Sequence, residues 1–254
     1  MRSILRSALA GGALLLAAGG TAFAAGTVPP MERSWPTDGF FGKFDRAGLQ
    51  RGFQVYMNVC HACHGLKYVA FRSLSDLGYN EDQIKAIAAE YTVTDGPNDE
   101  GDMFERPARP SDRIPSPFAN DQAARAANGG ALPPDLSLIV KAREDGENYV
   151  FSLLNGFEEP PADVHVPDGM YYNHYFPGHL IGMPPPLSDD AITYEDGTPA
   201  TVPNMASDVV QFLTWAAEPK LEARKGTGLA VVLFSLVFIG IFYAYKRRIW
   251  ADVH

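Results

Sequence analysis

Cys60-His61-Ala62-Cys63-His64 decides the reading of this chain. These are the only two cysteines in 254 residues, and a histidine follows the second directly. Spaced over about one helical turn, two such thiols reach the two vinyl groups of one haem, and the next residue brings an imidazole under the iron. The pattern is that of a c-type haem attachment site. A redox dithiol shares the spacing but has no use for His64 and usually follows a strand. Half of a zinc site would need two more soft ligands, and the sequence has no further cysteine to supply them. We therefore expect one covalent haem c, held through Cys60 and Cys63, with His64 as an iron ligand.

The iron needs a second ligand. Five other histidines and seven methionines are available. His61 lies inside the attachment loop and cannot reach the opposite face of the ring. Met183 stands out by its setting, Gly182-Met183-Pro184-Pro185-Pro186. Glycine permits close approach to a ring, and prolines stiffen a loop without demanding backbone donors. A thioether also raises the reduction potential, which suits an electron carrier. His174, His179 and Met170 compete for the same role, and methionine serves equally as a gap-filler in cores.

Working outward, the pattern is mainly helical. Leu49, Phe53, Tyr56 and Cys60 recur at three or four residues, so Asp45 to Cys60 reads as a helix running into the motif. Asn80 caps a helix through Glu90, with Gln83 in the capping-box position and Ile84, Ile87 and Tyr91 on its apolar face. Asp95 to Ser116 reads as an acidic, proline-rich loop. Asn120 opens a short helix that stops at Asn128-Gly129-Gly130. Asp135 is read as the cap of another short helix through Ala142, and Glu147 to Asn155 as a further one ended by Gly156. From Phe157 to Pro203 prolines and glycines recur too often for regular structure. So long a coil inside a domain needs a reason, and wrapping a large apolar cofactor is one. Ala206 to Ala216 is the last helix before Pro219. No strand pair is expected.

The two ends lie outside this domain. Arg2 and Arg6, the apolar stretch Ala8 to Gly20 and Ala22-Phe23-Ala24 read as a signal peptide over residues 1–24. Gly226 to Tyr245 is a charge-free run of 20 residues, enough at about 1.5 Å per residue for a hydrocarbon core about 30 Å thick. Lys246, Arg247 and Arg248 follow and are expected to stay cytoplasmic. The expected organisation is a haem domain over 25–222, an anchor over 226–245 and a short tail over 246–254. Such a chain would sit in a bacterial inner membrane with its haem domain in the periplasm. The net charge is −9, and five of the 21 basic residues fall in the two terminal segments. The domain between them is therefore more acidic still, which argues against nucleic acid and for a basic partner or simple solubility.

Several stretches together resemble the cytochrome c1 family, the haem subunits of ubiquinol–cytochrome c oxidoreductase, in a bacterial version. They are Arg51-Gly52-Phe53-Gln54-Val55-Tyr56, Asp95-Gly96-Pro97-Asn98, Ala123-Ala124-Arg125-Ala126-Ala127-Asn128 and Ala131-Leu132-Pro133-Pro134-Asp135-Leu136-Ser137. Tyr149-Val150-Phe151-Ser152-Leu153-Leu154, Tyr175-Phe176-Pro177-Gly178 and Trp215-Ala216-Ala217-Glu218-Pro219 continue the series in the same order. The resemblance implies a class I cytochrome c-like domain with long loop insertions and one C-terminal transmembrane helix. It implies thioethers on Cys60 and Cys63, axial ligation by His64 and Met183, Asn128 and Arg143 near a haem propionate, and Pro133 and Pro134 packed on the ring. It further implies one-electron transfer from a Rieske iron–sulfur protein to a soluble or membrane-anchored cytochrome c, beside a cytochrome b that carries the quinol chemistry. Some bacterial relatives pair extra cysteines in the loop before the axial methionine; this chain has none to pair.

Overall fold

A computed structural model describes residues 28–252. The signal peptide expected at 1–24 lies outside them. Helix α1 spans Arg46–Asn58 and begins where Asp45 accepts a hydrogen bond from the Ala47 N–H. Its buried face is Leu49, Phe53, Val55 and Tyr56, and two buried glycines, Gly48 and Gly52, lie on the same side. Those glycines set the packing. Helix α5, Val202–Ala217, crosses α1 so closely that a Cβ on Gly52 would lie 2.0 Å from the Asp208 carbonyl oxygen and 2.7 Å from the Phe212 Cβ. Every residue of α5 from Met205 to Ala216 is buried, so this helix is the spine of the domain. Phe212 gathers Phe53, Tyr56 and Trp215 around it with ring centroids 5.6–5.7 Å apart.

Helix α2, Glu81–Ala89, carries the expected capping box: Asn80 Oδ1 accepts from the Gln83 N–H and Gln83 Oε1 from the Asn80 N–H, both at 2.9 Å. Helix α3 is Asp121–Ala127, capped by Asn120, and α4 is Gly146–Asn155, packed on α5. A 3-10 helix at Phe71–Leu77 buries Phe71, Leu74 and Leu77.

Three expectations need correction. Two antiparallel strand pairs exist: β1 (Thr92–Asp95) with β2 (Phe104–Pro107), and β3 (Tyr171–Tyr172) with β4 (Leu180–Ile181). Within the acidic loop Arg106 fastens the first pair, bonding Asp95 on the facing strand and Asp112 beyond it. Asp135 caps no helix; residues 137–145 are turns, and its carboxylate instead accepts from the Lys67 and Ser137 N–H groups. Helix α5 starts at Val202, four residues ahead of the expected start, with Thr201 as its cap. Pro203 stands in its first turn, where a missing N–H costs nothing.

Helix α6, Leu221–Ile249, is a single 29-residue rod about 44 Å long. Its apolar residues from Val231 to Ile249 lie on the outside, and Leu221 is its one buried residue. An apolar rod whose stretch from Val231 onward has none of the described residues packed on it, ending in Lys246, Arg247 and Arg248, is a transmembrane anchor.

Candidate functional site

The haem motif follows α1 immediately: Cys60–Ala62 is one turn of 3-10 helix, and the Cys63 and His64 N–H groups both donate to the Cys60 carbonyl. This tight turn brings Cys60, Cys63 and His64 together. Tyr56, one turn earlier, donates its hydroxyl to the His64 carbonyl at 2.9 Å and packs against the His61 ring. The backbone of the motif is thus tied to the buried face of α1.

The side chain of His64 is tied from elsewhere. Its Nδ1 lies 2.7 Å from the Pro134 carbonyl oxygen, and a carbonyl accepts only, so Nδ1 carries the proton and Nε2 keeps its lone pair. Burial holds the imidazole below its ordinary pKa, partly opposed by that carbonyl and by Asp135. Neutral, oriented and with Nε2 free, His64 is prepared as a metal ligand. The Pro133–Ser137 segment is itself stitched to the motif: Leu136 N–H donates to Gly65 O at 2.9 Å, Lys67 N–H to Asp135 Oδ2 at 2.9 Å, and Tyr68 N–H to Ser137 Oγ at 3.1 Å.

The same segment meets the Met183 loop at its other end. A Cβ on Gly182 would sit 3.3 Å from the Ala131 Cβ and 4.0 Å from the Met170 sulfur. Residues 131–134 therefore join the His64 side of the site to the Gly182-Met183 side, and Met183 is half-buried there. Met170, a rival in the sequence, lies beside Gly182. The other rivals are engaged elsewhere: His179 stacks on Tyr172 with its Nδ1 3.3 Å from the Asn173 carbonyl, and His174 pairs with Glu158 at 3.1 Å. Asn128 caps α3 and donates its amide to the Ala124 carbonyl at 2.7 Å. Arg143 is exposed and donates Nη1 to the Ala142 carbonyl, so it is not drawn into this cluster.

The donor set and its surroundings fit a haem. From Phe157 to Asp190 only Asn173 is buried, so this long coil has no core of its own among the described residues. A large apolar group would supply one. Burial, with the neighbouring Cys63 thiol, pushes the Cys60 thiol up to about 12. That is opposite to the lowered thiol of a redox dithiol, which works as a thiolate. Among the described residues no cluster of three or more His, Cys, Asp and Glu side chains is placed to hold a metal ion alone. Sequence reasoning had not found the Pro134 carbonyl or the Asp135 clamp; Pro-Pro-Asp was a visible signal, but its partner is 70 residues away.

Fold and site together define a mainly helical, c-type cytochrome-like domain on a single transmembrane anchor. Residues 35–253 match the Cytochrome C1 family. The chain is 52% identical to the cytochrome c1 of Rhodospirillum rubrum over all of this chain and 99% of that protein. It is 53% identical to the cytochrome b/c1 of Bradyrhizobium diazoefficiens, covering 90% of this chain and 36% of that longer protein. It is 51% identical to an Arabidopsis thaliana protein named cytochrome c1 2, heme protein, mitochondrial, over 85% of this chain and 71% of that one. The chain belongs to the cytochrome c1 family.

Proposed function

We propose that this chain carries one covalent haem c and serves as the electron-transfer subunit of a quinol–cytochrome c reductase. It takes one electron from a Rieske iron–sulfur protein and passes it to a soluble or membrane-anchored cytochrome c, with a cytochrome b as its membrane neighbour. The observation that carries this reading is the His64–Pro134 bond, which orients an imidazole with its Nε2 free directly behind a two-thiol attachment motif. The names of the relatives support it.

Bound here, haem supplies reversible one-electron chemistry. The chain's residues do the rest. Cys60 and Cys63 would hold the group by thioethers, and His64 would ligate through Nε2. Met183, on the proline-stiffened loop held against Ala131, would supply a second iron ligand, and its thioether would raise the potential. Pro133 and Pro134 would pack on the ring, while Asn128 and Arg143 would serve a propionate, Arg143 by turning its exposed guanidinium inward. No bond of a substrate is made or broken on this chain. The haem domain, residues 25–222, lies in the bacterial periplasm and Gly226–Tyr245 crosses the inner membrane. Purification of the full chain from its membrane tests the assembly: cytochrome b and an iron–sulfur subunit should accompany it. A chain purified alone under mild detergent would instead be a free-standing shuttle.

A further inference from the structure

Phe40 and Phe41 are 49% and 80% exposed, and they pack edge to face on each other with centroids 5.3 Å apart. The turn carrying them is firmly built. Asp38 N–H donates to the Trp35 carbonyl and Lys43 N–H to the Pro36 carbonyl, both at 2.9 Å. Trp35 N–H donates to Asp38 Oδ2 at 2.7 Å, and the Thr37 hydroxyl to Glu147 Oε1 at 3.1 Å. A Cβ on Gly42 would lie 2.2 Å from the Asp38 carbonyl oxygen, so no other residue fits the fold-back there. Two adjacent phenyl rings held out to water on an ordered turn form an exposed apolar patch, and such patches mark contacts.

The anchor indicates what they contact. Lys225 Nζ donates to the Thr37 carbonyl at 2.5 Å and to the Gly39 carbonyl at 2.6 Å. Phe44 N–H donates to Glu222 Oε1 at 2.8 Å, and Arg46 pairs with the other oxygen of Glu222 at 3.4 Å. Lys225 is the last charged residue before the run Gly226–Tyr245. Helical side chains lean toward the N-terminus, so its ammonium reaches back from the start of that run to the turn. Phe40 and Phe41 follow Gly39 at about 3.8 Å per Cα step, so their Cα atoms lie within about 8 Å of a residue bound to the start of the apolar run. Lys43, exposed beside them, adds a charge suited to phosphate headgroups.

We propose that Phe40 and Phe41 form a wedge that enters the headgroup–acyl boundary of the phospholipid bilayer next to the anchor. With the anchor it gives the haem domain two attachments to the membrane, so the domain cannot swivel freely about one helix. This rests on reading Gly226–Tyr245 as the membrane span. The test uses the full haem-loaded chain in nanodiscs of phosphatidylcholine and phosphatidylglycerol, with Phe41→Cys or Phe234→Cys carrying a nitroxide label. The unsubstituted chain reports any labelling at Cys60 or Cys63. A label at 41 should collide with oxygen more than with a water-soluble nickel chelate, at a depth of about 5–10 Å, and a label at 234 should lie deeper. If 234 is deep but 41 collides freely with the chelate, the wedge is wrong and the anchor stands. If 41 is shielded from both reagents, it is seated on protein, and the lipid proposal is overturned. If both positions meet the chelate, the anchor reading falls and takes the wedge with it.

Discussion

At the scale of single residues, the site turns on a few atoms whose neighbours define their roles. Met183 is the sharpest case. Leucine keeps its apolar volume but offers no sulfur, so Met183→Leu should retain covalent haem, lose the low-spin spectrum and lower the midpoint potential. Optical redox titration checks this, and an unchanged potential would remove Met183 from the iron. Gly52 makes a purely steric case. Its missing Cβ is the gap into which the Asp208 carbonyl and Phe212 fit, so Gly52→Ala should destabilise the domain by about 1–3 kcal/mol through overpacking. Thermal unfolding of the haem-loaded chain measures it. Next to it, Arg51 grips the buried Asp208 with two bonds of 2.8 and 3.1 Å and reaches Asp196 at 2.9 Å. The Thr198 N–H and hydroxyl, helped by Arg51, hold the Asp196 carboxyl down at about 2. Of these residues the sequence singled out Met183 and the thiols, because the chemistry proposed for them is local. It left Gly52 as one letter in a resemblance, because what this glycine makes room for, Asp208 and Phe212, lies 156 and 160 residues away.

At the scale of elements, caps and apolar stripes placed α1 through α4 well, since Asp45, Asn80 with Gln83, Asn120 and Gly156 act on their own backbones. The misreadings came where a residue serves a distant element. Asp135 looks like a helix cap but binds the Lys67 backbone; Pro203 looks like a breaker but sits inside the first turn of α5. The pairing of β1 with β2 is fastened by Arg106 bridging Asp95 and Asp112, a link no periodicity announces. Glu147 ties three elements, accepting from the hydroxyls of Thr37 at 3.1 Å and Thr214 of α5 at 2.9 Å. Burial raises its carboxyl above the ordinary value of 4.5, against the pull of the two hydroxyls. A raised acid holds its proton longer in the folded state, so its contribution to stability is full below about pH 4.5 and declines as pH rises from there through the folded value. Glu147→Gln keeps an acceptor for both hydroxyls and should flatten that decline, as unfolding measured between pH 4.5 and 7 would show. The join between domain and anchor gives another test. The sequence set the domain's end at residue 222, yet Lys225 makes two bonds back to the N-terminal turn. A chain cut after Lys225 should be soluble and haem-loaded, and one cut after Glu222 should be soluble but less stable by about 1.5–3 kcal/mol. Equal stability of the two would make those bonds incidental.

At the scale of the whole molecule, an acidic domain is joined to one long apolar rod. Asp99, Glu100 and Asp102 are exposed on the turn between β1 and β2, while Asp95 in the same segment is committed to Arg106. Removing the three exposed charges together should slow electron transfer to a basic cytochrome c at low salt, leave reduction from the quinol side unchanged and matter little at high salt. Stopped-flow rates across ionic strength decide it, and rates equal to wild type at low salt would make the turn a solubilising surface. The proposed relay of electrons from an iron–sulfur protein to cytochrome c is open to rapid mixing of quinol with the purified assembly, with and without its Rieske subunit, followed at this chain's haem absorbance. The haem should be reduced when the Rieske subunit is present and stay oxidised when it has been removed; reduction at the same rate without that subunit would overturn the relay.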